Sequence, residues 1–101
     1  MLTFEMSIFM SVVILGGNEC MVREYKELCR EYQCKAKVYP KMSNAMKNLG
    51  SPDLLVMFTG TMSHKMLRSA LNETKGTSTR IVRSHTSSMA ALRSILEEHA
   101  N

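Results

Sequence analysis

Two histidines set the chemical question. His64 lies in the stretch Thr59-Gly60-Thr61-Met62-Ser63-His64-Lys65, and His85 in Ser84-His85-Thr86-Ser87-Ser88. Each stretch follows an apolar run and is rich in hydroxyls. An imidazole titrates near neutrality, so either one is a candidate for acid–base catalysis or for ligating a haem or metal. Neither has an Asp or Glu beside it, and neither falls in an HxxxH or HExxH spacing, so no metal site is expected. The competing reading is a surface or capping histidine. His99 closes a helical pattern, where it would complement the helix dipole.

The cysteines point away from metal and disulfide chemistry. Cys20, Cys29 and Cys34 match no zinc spacing, and three thiols without a CxxC do not make a disulfide framework. They suit a reducing compartment, and a cytoplasmic location is expected. Cys20 is in a first helical turn, which favours a thiolate. Glu19 before it and Met21-Val22 after it do not form the small-residue loop of a phosphocarrier cysteine. Cys29 falls on an apolar stripe. Cys34, between Gln33 and Lys35, reads as a partly exposed loop thiol. Gly16-Gly17-Asn18 follows an apolar run, but matches neither GxGxxG nor GxxxxGK[ST], so it reads as a strand-to-helix turn. Tyr39-Pro40-Lys41 offers no acidic residue for a ribose, which argues against a conventional dinucleotide site.

The elements that position these residues follow from periodicity. Ser11–Leu15 and Asp53–Phe58 are continuous apolar runs, as in strands buried on both faces. Ala36–Tyr39 is a short strand stopped by Pro40, and Arg80–Ser84 is a strand of mixed character suited to an edge. Met21, Tyr25, Leu28 and Tyr32 recur at helical spacing and predict a helix over about 19–33, capped by Asn18. A short helix is expected from Asn44 to Leu49, a third around Met62–Leu71, and a last one around Met89–Leu96. Alternating strands and helices give an α/β fold: a small Rossmann-like three-layer domain with helices on both faces. The four-stranded parallel sheet is expected in the order 2-1-3-4, as one domain over 10–101. Residues 1–9 read as an extension, from an early start or as an extra strand. Met1–Ser7 holds no Lys or Arg, and the apolar run that follows is too short to span a bilayer, so neither a signal peptide nor a membrane is expected.

Composition bounds the rest. The 101 residues are 45% hydrophobic and 22% charged, as in one ordinary domain, and the net charge of +4 favours anionic partners mildly. In sheets of this order, ligands bind outside the carboxyl ends of the strands where the order reverses. Three loops meet that rim. The first supplies Gly16, Gly17 and Asn18, the second Thr59, Thr61, Ser63, His64 and Lys65, and the third Arg83, Ser84, His85, Thr86, Ser87 and Ser88. Each opens a helix, so free N–H groups, hydroxyls and cations are expected to hold a phosphate, a nucleotide or a carboxylate. Ser63, His64 and Lys65 at one helix start are expected to face His85, Thr86, Ser87 and Ser88 at the next. Ser and Thr at helix starts have a competing role as N-caps. A binding module is the first reading. An enzyme or cofactor domain using His85 or His64 is the alternative, and an RNA- or protein-interaction domain using Lys35, Lys37, Lys41, Lys47, Arg80 and Arg83 is the third. Free sheet edges lead to the expectation of a homodimer.

The segments SVVILGG, CKAKVYPKM, GSPDLLVMFTGTMSHKM and RIVRSHTSSMAALRSIL resemble domain-of-unknown-function family 2325, small bacterial α/β proteins. The resemblance covers about residues 11–97. Its most specific pieces are Gly50-Ser51-Pro52-Asp53, Ser63-His64-Lys65-Met66 and Arg83–Ser88. Family members typically have Arg near the position of Cys20 and often Cys where Ser84 stands, and this chain departs from both. The resemblance implies a compact Rossmann-like domain in a bacterial cytoplasm, and no assigned activity.

Overall fold

In the computed structural model, residues 9–100 are described. The extension expected at 1–9 therefore lies outside the described residues, Phe9 apart. The chain runs through β1 (Met10–Gly16), α1 (Val22–Glu31), β2 (Cys34–Tyr39), β3 (Leu54–Phe58), α2 (His64–Glu73), β4 (Arg80–Ser84) and α3 (Met89–His99). Short 3-10 turns occupy Glu19–Met21, Asn44–Asn48 and Thr59–Thr61. All strand pairs are parallel, and the sheet order is β2-β1-β3-β4. The expected fold class is the one observed.

Burial explains the order. Every residue of β3 is buried, as are Val12 to Gly16 of β1, so these two strands need neighbours on both edges and a layer on both faces. Side chains alternate across the sheet. On one face Val12, Ile14 and Val56 meet Leu28 of α1 and Leu92 and Leu96 of α3. On the other, Val13, Leu15 and Met57 meet Met46 and, from α2, Met66 and Ala70. Each fully buried aliphatic side chain contributes about 1.5–3 kcal/mol, so both layers are needed.

Three details differ from expectation. The second strand begins at Cys34, two residues early, and Cys34 is buried at 4% exposure instead of forming an exposed loop thiol. Gln33 takes a left-handed turn (φ +59°) straight after α1, which brings Cys34 into register with Met10. The second crossover is only a 3-10 turn, capped by the Ser43 hydroxyl and burying Met46 alone. The first helix opens with the 3-10 turn at Glu19–Met21, where the Asn18 side chain accepts from the Cys20 N–H, as its expected capping role requires.

Candidate functional site

The three loops at the carboxyl ends of the strands are bound to one another. After β1 the chain turns through Gly16 and Gly17 at φ +82° and +88°, a conformation that favours glycine. The Gly17 N–H donates to Thr61 Oγ1 at 2.6 Å, and that hydroxyl donates to the Phe58 carbonyl at 3.1 Å. Met62 and Thr61 close over Gly16, where an added Cβ would lie 2.8 Å from Met62 Cγ. The reversal between β1 and β3, which the topology rule marks as the ligand crevice, is thus filled by the chain's own side chains.

A second tie runs through Tyr25. Its ring is fully buried in α1, 5.5 Å from the Phe58 ring. Its hydroxyl donates to the Ser87 carbonyl at 2.7 Å and accepts from the Asn18 N–H at 3.2 Å, joining the loops after β1 and β4. The third tie joins the loops after β3 and β4. The Thr59 hydroxyl reaches the Ser84 carbonyl at 3.5 Å. Gly60 lies close against His85: a Cβ there would be 2.4 Å from the His85 carbonyl oxygen and 3.2 Å from its ring Cε1.

Many of the expected ligand groups are already engaged. Ser63 and Ser88 accept from the Met66 and Ala91 N–H groups, as N-caps. The Ser84 hydroxyl donates to the Thr86 carbonyl. What stays open is backbone and charge. Among the described residues the amides of His64, Lys65, Met89 and Ala90 have no hydrogen-bond partner, and the side chains of His64, Lys65, Arg83 and His85 are exposed.

One expected juxtaposition does not occur. Ser63, His64 and Lys65 do not face Ser87 and Ser88 across one crevice, because α2 and α3 start on opposite faces of the sheet. Arg83 stands in register with Met57, so it leaves β4 on the face that α2 covers. His85 lies against Gly60 and joins the two loops. Thr86, Ser87 and Ser88 belong to the other side.

His99 lies at the opposite end of the sheet, with Nδ1 3.3 Å from Arg80 Nη1 and Nε2 3.9 Å from Glu98 Oε1. Among the described residues no three His, Cys, Asp or Glu side chains converge as metal ligands would. Tyr25 and Gly60 are the structural residues that sequence reasoning missed. The signal for Tyr25 was present: a tyrosine on a buried stripe must satisfy its hydroxyl somewhere.

Fold and site together define a small Rossmann-like α/β domain whose strand-end loops are cross-tied into a rim. No curated protein and no solved structure matched this chain. A family model described as "Uncharacterized protein conserved in bacteria (DUF2325)" matches residues 11–99, and the chain belongs to that family. No helix among the described residues is long and apolar enough to cross a membrane.

Proposed function

We propose that the domain is a binding module that holds a small anion of phosphate size where α2 begins, beside the end of β4. The observation that carries this reading is the contact of Gly60 with His85. It draws the β4 loop onto the β3 loop, next to the start of α2 and the exposed Arg83. The unpaired amides of His64 and Lys65 and the positive end of a ten-residue helix favour an anion there. Arg83 and Lys65 supply charge, and His85 adds an imidazole donor. In this reading Thr61, Ser63 and Ser88 hold the loops in shape and leave ligand contact to the amides and cations. Binding is favoured over catalysis because both imidazoles are exposed at the rim, and the groups that stay open around them are amides and cations.

Titration with inorganic phosphate followed by amide NMR tests the site. The amides of 60–65 and 84–86 are expected to shift first, and Arg83→Ala to weaken binding roughly tenfold, as for loss of a charge-assisted hydrogen bond. Shifts confined to residues away from this rim would overturn the reading.

A further inference from the structure

The sheet divides the molecule into two electrostatically unlike halves. On the face covered by α1 and α3, the cations Arg23, Lys26, Arg30 and Arg93 are interspersed with five acids, although Lys26 and Arg30 form no ion pair among the described residues. Arg23 Nε bonds Glu27 Oε2 at 3.3 Å, Arg93 reaches the Tyr32 hydroxyl that also contacts Glu97, and Glu24, Glu31 and Glu98 are exposed.

The other face is different. Lys65, Arg68, Asn72 and Lys75 recur at intervals of three, four and three residues along α2 and the turn that follows it. They line one shallow depression of about 620 Å³. Beside α2 lie Lys47, exposed in the second 3-10 turn, and Arg83 on β4. Lys35 and Lys37 join them, because they stand in register with Ser11 and Val13 on the side of the sheet opposite Ala36 and Val38. None of these seven cations forms an ion pair with an acid among the described residues. Among the described residues the acids of this half are Glu73 and Asp53, and Asp53 Oδ2 already accepts from the Ser11 N–H at 2.7 Å.

We propose that this α2 face binds the phosphate backbone of a duplex nucleic acid, without reading its sequence. The stripe from Lys65 to Lys75 is about 15 Å long at helical rise, which spans about four phosphates of one duplex strand. Single strands are bound by stacking bases on exposed aromatics. The stripe holds none, and Tyr39 on the same face is half-buried against the core. A lipid surface would need an apolar wedge. Among the described residues the exposed large apolar ones are Phe9, Met42 and Ile81. None lies in the stripe, and Ile81, in register with Leu55 on this face, is a single side chain on β4 rather than a continuous wedge. What remains is charge spaced along a rigid rod, which suits a stiff polyanion. The proposal stands apart from the small-anion reading, since Lys35, Lys37, Lys47, Arg68 and Lys75 lie off the rim.

Fluorescence anisotropy with labelled 20-base-pair DNA and RNA duplexes of mixed sequence tests it. Binding is expected in the micromolar range at about 20 mM salt, weakening steeply as salt rises, and indifferent to sequence. Equal affinity for DNA and RNA, or a preference for either, supports the proposal, and the preference names the source. The double variant Arg68→Gln/Lys75→Gln is expected to bind at least tenfold more weakly, with the slope of log K against log salt reduced by about two. Arg23→Gln/Lys26→Gln on α1 removes the same charge from the other face and is expected to change affinity less than twofold. Absence of duplex binding, an equal loss in both double variants, or tighter binding of the single strand or of polyglutamate would overturn the proposal. Phosphate-induced shifts at 60–65 and 84–86 are expected to persist in Arg68→Gln/Lys75→Gln, so the two readings fail separately.

Discussion

The Tyr25 hydroxyl does more for the rim than any group exposed on it. It occupies the Ser87 carbonyl and the Asn18 N–H from inside the core. Tyr25→Phe keeps the ring and leaves both groups unpaired, so a loss of about 1–3 kcal/mol is expected in denaturant unfolding. The helical stripe through Met21, Tyr25 and Leu28 placed the ring in the core from sequence. The partner of its hydroxyl was not readable, because Ser87 lies 62 positions away. Cys29 is a second buried residue with a measurable consequence. Burial first, and then the neighbouring Cys34, push its thiol up from 9.0 to about 12. Burial also raises the Cys34 thiol, with Asp53 adding to the effect. The folded chain thus keeps a proton on Cys29 that the unfolded chain releases above pH 9. The contribution to stability is complete below pH 9 and is expected to fall by about 1.4 kcal/mol per pH unit above it, until the folded value is reached. Urea titrations of wild type and Cys29→Ala at pH 8 and 10.5 check this, since the variant lacks the Cys29 share of the slope.

Among the elements, the loops after β3 and β4 are the most tightly constrained by one another. Gly60→Ala would put a methyl group against the His85 backbone, which has no flexible end to yield. A loss of about 1–3 kcal/mol is expected, with displaced imidazole resonances for His85 and weaker phosphate binding. NMR and thermal unfolding read both. The strands themselves were readable because apolar runs announce burial on two faces. The start of β2 was not, since Gln33 is a residue type that rarely takes a left-handed turn. The second crossover looked like a helix because Gly50 ends it as a helix stop would, yet its one buried side chain, Met46, needs only a single turn.

At the scale of the molecule, the order 2-1-3-4 followed from which strands were most apolar, and the structure has it. The side taken by α3 did not follow. The right-handed crossover rule fixes a helix between two parallel strands, but among the described residues no strand follows α3. Its packing beside α1 is what parts Ser88 from Ser63. Net charge conceals the two unlike faces for a similar reason, since only the sheet register says which side Lys35 and Lys37 take. The strand order also dictates a schedule of assembly. β1 and β2 are joined by a short span and can pair early, but β1 acquires its second neighbour only when β3 docks. The layer over Val12, Ile14 and Val56 then stays half open until Leu92 and Leu96 arrive from the last helix. On a ribosome, a chain that has emerged only as far as β3 therefore presents an apolar sheet face only half covered by α1. The eleven-residue α3 is the piece that closes that layer.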